Sequence, residues 1–377
     1  MSAAGGRRKG VAFTHEMQVS WLRLYRSENV GPVTFRQLIN RYGGAEATLE
    51  ALPELAARGG RRIEVADRGA IEAEFARAKK LGAVFSCMGE PGFPAMFASD
   101  DHSPPVIARM GDSALFDLPA VAIVGARNAS LSGIKLTRRF AAELGAAGYV
   151  VVSGLARGID AAAHEAAITT GTVGVFAGGL DMPYPPENKP LMRRIVDEGG
   201  CLISARPFGW EPRAKDFPRR NRLVATLAHG LLVVEAAQRS GSLISARLAN
   251  ELGRLVFAVP GSPLDPRAGG SNQLLKDGAI LATEAADVID ALRPLNEQRR
   301  LSGEDSLSEP EVADTADEPA ENERARIYEA LGPTPVFIDD IVEHTGASPG
   351  AVQLVIIELE LAGRLERHRD GTVSLLL

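Results

Sequence analysis

The chain has 377 residues, is 45% hydrophobic and carries a formal net charge of -6. That length and apolar content can bury a large core in two or three domains, which excludes fibrous and wholly disordered classes. An acidic total argues against a nucleic-acid partner, but residues 302–323, SGEDSLSEPEVADTADEPAENE, hold nine acids and no base, and without them the remainder stands at +3.

In MSAAGGRRKGVAFTHEMQVS no apolar stretch is long enough for a signal sequence, and no later run reaches membrane-span length. Cys87 and Cys201 are too few for a disulfide framework, and neither has a second cysteine nearby. A reduced, cytoplasmic protein with no membrane partner, metal or cofactor is expected. Residues 17–82 read as a small helical domain, with Gly31-Pro32 in SENVGPVTFRQLINRYGG between two helical patterns. That turn suits a helix–hairpin–helix (SAM-like) unit that aims backbone N–H groups at phosphate, or equally a plain αα-hairpin. Residues 83–114 contain four prolines and have the composition of a loop junction.

Apolar runs then recur at near-regular spacing: VAIVG at 121, YVVVS at 149, TVGVF at 172, CLIS at 201, LLVVE at 231 and LVFAV at 255. Helix-compatible segments such as KLTRRFAAELGAAG, GIDAAAHEAAITTG and LISARLANELG lie between them. The alternation predicts right-handed crossovers and a parallel sheet buried on both faces, an α/β, Rossmann-like doubly wound domain over residues 115–295. Ligands of such sheets sit at the carboxyl ends of the strands, where GARNAS, SGLARGID, AGGLDMPYPPENK and EAAQRSGSLIS gather glycine and polar residues. GARNAS follows its strand as a phosphate-binding turn does. Yet Arg127 stands where a dinucleotide fold has its second glycine, and neither G-x-G-x-x-G nor G-x-x-x-x-G-K-[ST] is present. The expected ligand is an anion other than NAD or ATP.

Residues 296–323 read as an acidic disordered linker. Beyond it, 324–377 fit three short helices and a hairpin around Asp370-Gly371, the order of a winged helix, with Ser348 at the N-cap and Pro349 in the first turn of the third helix. That helix has no lysine or arginine from 348 to 362 and carries Glu358 and Glu360, so protein contact is expected of it before groove reading. No H-E-x-x-H, Cys-x-x-Cys or G-x-S-x-G is present, which removes support for zinc hydrolysis and α/β-hydrolase chemistry. Asp160 and His164, at i and i+4, suit either a base with its orienting partner or a brace at a helix start; no nucleophile or metal set converges on them, which favours the brace.

Six co-linear motifs, VAIVGARNAS, VVVSGLARGIDAAAH, AGGLDMPYPPENK, FPRRNRLVA, VVEAAQRSGSLISA and FAVPGSP followed by GSNQLLKDGA, resemble the DNA-processing protein A family (DprA, also called Smf) of natural transformation. The flanking helical and winged-helix segments are similar to that family's outer domains. The resemblance implies binding of single-stranded DNA, a homodimer, loading of the recombinase RecA onto incoming strands, sometimes with displacement of single-strand binding protein, and no catalytic turnover. It carries the family's phosphate pocket onto Gly125, Arg127, Ser130, Ser153, Gly154 and Lys189, with Arg157, Arg219, Arg220, Arg222, Ser240, Gly241 and Ser242 beside them. Met192 falls where a base-contacting apolar side chain is implied, or else in the core. A strand threading past needs a charged fork for successive phosphates, which gives Arg127 a reason.

The stretch 206–222, RPFGWEPRAKDFPRRNR, interleaves six bases with Phe208, Trp210 and Phe217, a pattern suited to sequence-tolerant strand binding; a solvated basic loop over tucked aromatics fits Trp210 and Phe217 equally. Ala205 and Arg206 depart from the acidic and aromatic pair common in the family, which puts a carboxylate role there in doubt. Two other functions share parts of this pattern. Nucleotide phosphoribohydrolases share the core but need a glutamate where this chain has Ser245 and Ala246. A winged-helix transcription regulator is disfavoured by the third helix's lack of basic residues.

Overall fold

The computed structural model describes residues 11–302, 318–368 and 370–376. They fall into two compact units, one running from Ala73 through the helix Ala285–Ser302, the other combining Phe13–Glu72 with the residues from 318 onward.

In the first unit nine strands form one sheet: β1 (Val84–Cys87), β2 (Val106–Gly111), β3 (Ala120–Val124), β4 (Val150–Ser153), β5 (Thr172–Val175), β6 (Cys201–Ser204), β7 (Gly230–Val233), β8 (Leu255–Ala258) and β9 (Ile280–Leu281). Their order is β1-β2-β6-β5-β4-β3-β7-β8-β9. Every neighbour pair from β6 to β9 is parallel, and β2 and β1 extend the β6 edge antiparallel. The six apolar runs are β3 to β8. Successive strand residues face opposite sides, and both sides are apolar. Ala120, Ala122 and Val124 pack with Leu223, Val224 and Leu248 on one face, while Val121 and Ile123 pack with Phe140, Leu144, Ile159 and Val288 on the other.

One expectation needs correction. Residues 83–114 are more than a loop junction, because they supply β1 and β2; Pro91, Pro94, Pro104 and Pro105 are confined to the connection between those strands. The chain order turns at β3, which has β4 on one side and β7 on the other. This is the topological switch point, where open α/β sheets place their ligands.

In the second unit the helices His15–Arg26, Pro32–Tyr42 and Ala45–Arg58 bury Leu24, Phe35, Leu38 and Leu52 together with Leu354, Ile357 and Leu361 of the helix Pro349–Leu361. The other side of that helix, Val352, Val355, Ile356 and Leu359, packs with Ile327, Ile341 and Val373 of the winged helix. The winged helix comprises Glu321–Glu329, Ile338–Thr345, Pro349–Leu361 and the antiparallel strands β10 (Val336–Phe337), β11 (Leu365–Arg367) and β12 (Thr372–Leu375). Ser348 caps the third helix as its sequence predicts, accepting a hydrogen bond from the Ala351 N–H at 3.2 Å. A helix apolar all round is a buried helix, which accounts for the missing lysines and arginines. Its one deeply buried acid, Glu358, is held by Arg324. The expected separation of 17–82 from 324–377 therefore gives way to a shared core. Most of the acidic linker, residues 303–317, lies outside the described residues. Among the described residues no helix is long and apolar enough to cross a membrane, and no cluster of His, Cys, Asp and Glu could hold a metal.

Candidate nucleic-acid interface

At the switch point β3 ends, the chain turns through 125–130, and the helix Leu131–Ala146 begins. A dinucleotide fold would seat its pyrophosphate on that helix N-terminus. Here a carboxylate of the chain itself stands at that end. Glu235, just past β7, accepts a hydrogen bond from the Ser130 N–H at 2.9 Å and another from the Ser130 hydroxyl. The same hydroxyl oxygen caps the helix by accepting from the Gly133 N–H at 2.9 Å. Gly125 and Gly133 are small for this reason: a Cβ on Gly133 would lie 2.5 Å from the Glu235 carboxyl, and one on Gly125 would meet the Ile159 side chain at 2.6 Å and the Glu235 carbonyl at 3.0 Å.

The open volume lies to the other side, over the ends of β3, β4 and β5. A cavity of about 360 Å³ is lined by Arg127 and Asn128 after β3, Gly154, Ala156 and Arg157 after β4, Tyr184 and Pro185 after β5, and Phe217 and Arg220 on the helix Asp216–Thr226. Arg127 is exposed, and among the described residues it has no carboxylate partner; its guanidinium lies over the Phe217 ring, 5.3 Å from the centroid. Tyr184 meets Phe217 edge-on at 5.6 Å. Arg157 pairs with Glu187, both more than half exposed, so water screens the pair and an incoming anion can compete for it.

Arg220 is the buried member, 3.7 Å from Asp160. Burial raises the Asp160 carboxyl against the pull of Arg220, and burial lowers Arg220 against the pull of Asp160. Gly154 makes the room for this: a Cβ there would sit 1.0 Å from Arg220 Nη1. The loop between β4 and its helix is tightly held, with Leu155 at φ 63, Asn188 donating to the carbonyls of Leu155 and Ala156 at 2.8 and 3.1 Å, and Ile159 N–H donating to Ala126 O at 3.2 Å. A buried leucine at positive φ is backbone strain of the sort that collects at binding sites.

The structure thus brings Arg127, Gly154, Arg157 and Arg220 together. Lys189 and Arg219 are exposed beyond the lining, Lys189 directly after the anchoring Asn188. Four expectations need correction. Ser130 directs its hydroxyl to Glu235 and its own helix. Ser153 is fully buried and donates to Ile123 O at 2.6 Å, bracing β4 against β3. Met192 is buried with Leu191 and Ile195 on the inner face of its helix. Arg222 grips Asp100 with two bonds, Nη2 to Oδ1 at 2.7 Å and Nε to Oδ2 at 3.1 Å, and does not line the cavity. Ser240 accepts from the Ser242 N–H at 3.3 Å in front of the helix Gly241–Glu251, and Gly241 faces open space. Asn128, Tyr184, Pro185 and Glu235 lie in the loops that the sequence marks, GARNAS, AGGLDMPYPPENK and EAAQRSGSLIS, but nothing in the sequence singles out their side chains.

The basic stretch 206–222 is folded around an acid. Asp216 accepts from Trp210 Nε1 and the Arg213 N–H, each at 3.0 Å, and pairs with Arg206. Burial opposes its ionisation, but the Trp210 and Arg213 bonds and the Arg206 charge hold the carboxyl below its usual range. Arg206 and Arg213 lie over the Trp210 ring at 5.2 and 5.0 Å. His164 is fully buried against Thr172, and burial, with the Arg220 charge added, pushes it down to about 3. A neutral, enclosed imidazole braces the sheet, whereas the bracing of the helix start expected of the pair falls to Asp160 alone, which accepts from the Ala156 N–H at 3.2 Å.

Fold and site together define a Rossmann-like α/β protein with an open cavity at the sheet's switch point, lined by arginines and aromatics. The profile of the DNA recombination-mediator protein A family matches residues 84–293, that of the DprA-like N-terminal HHH domain residues 15–77, and that of the DprA winged helix domain residues 311–371. The chain is 36% identical over 284 residues to Protein Smf of Escherichia coli, covering 75% of this chain and 74% of that one. It is similar to the structure of DNA processing protein A from Streptococcus pneumoniae, with TM-score 0.63, 31% identity, and 74% and 98% of the two chains covered. It is also similar to DNA processing protein A from Helicobacter pylori, described for its single-stranded DNA binding mode, with TM-score 0.51, 31% identity, and 56% and 96% covered. The chain belongs to the DNA recombination-mediator protein A (DprA/Smf) family.

Proposed function

We propose that this chain is a non-enzymatic single-stranded DNA-binding protein that takes the strand through the cavity over β3, β4 and β5. The carrying observation is Arg127, an exposed guanidinium with no carboxylate partner among the described residues, poised over Phe217 at a cavity shared with Arg157, Arg220 and Tyr184. Arginine forks suit successive phosphates and ring faces suit unstacked bases, which a duplex keeps hidden. The single-strand binding mode described for the Helicobacter pylori relative supports the same reading. Lys189 and Arg219 extend the cationic surface from beyond the lining. The family's description as a recombination mediator supports delivery of the strand to a recombinase; RecA as that recombinase, a homodimer, displacement of single-strand binding protein and a cytoplasmic setting complete the proposal. The glutamate required by the rival phosphoribohydrolase reading has no counterpart at Ser245 and Ala246, both buried in the helix Gly241–Glu251.

Fluorescence anisotropy with single-stranded and duplex DNA of equal length tests the proposal. Single strands bind at least tenfold more tightly, and Arg127→Ala removes most of that preference. Equal affinity for the two forms, or free base released from nucleoside monophosphates, overturns it.

A further inference from the structure

We infer that Glu235 is an internal anion occupying the fold's phosphate seat, so that ligand phosphates are held by arginine side chains and refused by the helix end. The inference deepens the strand-binding reading, on which its consequence for substrate class rests.

Three observations carry it. Glu235 lies at the switch point, two residues past the end of β7 and beside the end of β3. Its carboxylate takes the Ser130 N–H at 2.9 Å and the Ser130 hydroxyl, the donors a phosphate oxygen would use at a helix start. Gly133 leaves no Cβ over the first turn, and any Cβ would strike that carboxylate at 2.5 Å. The helix Leu131–Ala146 has 16 residues, so its N-terminus carries the partial positive charge that favours an anion. An anion already resident satisfies that charge and repels another of the same sign. Arg127 and Ser130 stand where the dinucleotide motif has its second and third glycines, which removes the flat approach for a pyrophosphate as well. Specificity against free nucleotides is thereby achieved by repelling the wrong ligand, while the cavity beside it stays open to a strand.

The test is rescue by an anion. Wild-type protein, Glu235→Ala and Glu235→Gln are melted with inorganic phosphate or with chloride at matched ionic strength, which removes the general stabilising effect of salt. Glu235→Ala has a lowered midpoint in chloride, and phosphate raises it by about 3–6 °C for each tenfold excess over its dissociation constant. Wild-type protein shows no such gain. Glu235→Gln, whose amide oxygen can still accept from Ser130, gains less than the alanine variant. If Glu235→Ala is unfolded in chloride, refolding in phosphate recovers it. Phosphate gains equal in wild type and Glu235→Ala, or a variant that stays unfolded in both buffers, overturn the inference. Strand affinity is measured alongside on wild-type protein: its absence defeats the proposed function alone, since phosphate rescue does not depend on it.

Discussion

Arg127 and Arg222 carry the same charge, and the structure assigns them opposite roles, which a pair of substitutions separates. Arg127 forms no salt bridge among the described residues; its charge reaches buried Asp160 only at longer range, and its close contact is a cation–π contact with Phe217 at 5.3 Å, worth about 0.5–1 kcal/mol at an exposed site. Arg127→Ala therefore shifts the melting midpoint by no more than about 2–4 °C. It removes one charge-assisted phosphate contact, about 1.5–3 kcal/mol or roughly 10- to 100-fold in affinity, and flattens the log–log salt dependence of single-strand binding by about 0.7. Arg222→Ala instead strands the Asp100 carboxylate, 7% exposed, which among the described residues keeps the Ser103 and Thr226 hydroxyls and the His102 N–H. Removing one partner of a buried pair costs about 3–5 kcal/mol, which melts the protein early and leaves the salt slope at the wild-type value. Arg127→Lys regains the slope but only part of the affinity, because an ammonium keeps the charge without the fork. The assay is anisotropy of a labelled oligothymidylate against sodium chloride, beside a melting curve for each variant. A wild-type slope for Arg127→Ala together with a large loss of stability would refute the assignment, making Arg127 the brace.

Gly154→Ala pushes a methyl into Arg220 Nη1, 1.0 Å away, and so displaces a buried cation from the cavity; stability falls by about 1–3 kcal/mol and strand affinity falls with it, and an unchanged melting curve with unchanged affinity argues that Arg220 is free to move. Asp100 is held below the usual carboxylate range, burial opposing and the Arg222 and Ser103 bonds prevailing, so its contribution is complete above the unfolded value of about 4 and is lost as pH falls through the lower folded value. The gap in melting midpoint between wild type and Asp100→Asn is therefore constant above about pH 5 and narrows on acidification; a gap that widens there contradicts the sign. Truncation after residue 302 strips Leu354, Ile357 and Leu361 from the core of the N-terminal helices, exposing Leu24, Leu38 and Leu52. That fragment aggregates, whereas one spanning 73–302 stays soluble and keeps strand binding, as size-exclusion chromatography and anisotropy will read; a monodisperse fragment ending at 302 refutes the shared core.

The parallel strands were legible because burial on both faces turns each into an unbroken apolar run. β1 and β2 were masked by the prolines of their connection, and β9 is too short, at Ile280–Leu281, to leave a pattern. The cavity was legible as a set of loops but not as a set of side chains. Motifs mark where strands end, whereas a residue's facing depends on partners far away in sequence. Arg220 and Arg222 lie two residues apart on one helix, about 200° around its axis, so only one of them can face the cavity. The other meets Asp100, 122 residues distant, and Ser130 meets Glu235 across 105 residues. A count of bases in RPFGWEPRAKDFPRRNR thus overstates the charge offered to a ligand, because Arg206 and Arg222 are bound to Asp216 and Asp100. In a fold crowded with arginines the acids decide which cations remain available, and at this cavity, among the described residues, the acids leave Arg127 without a salt bridge, Arg157 in a solvent-screened pair and Arg220 sharing a buried one.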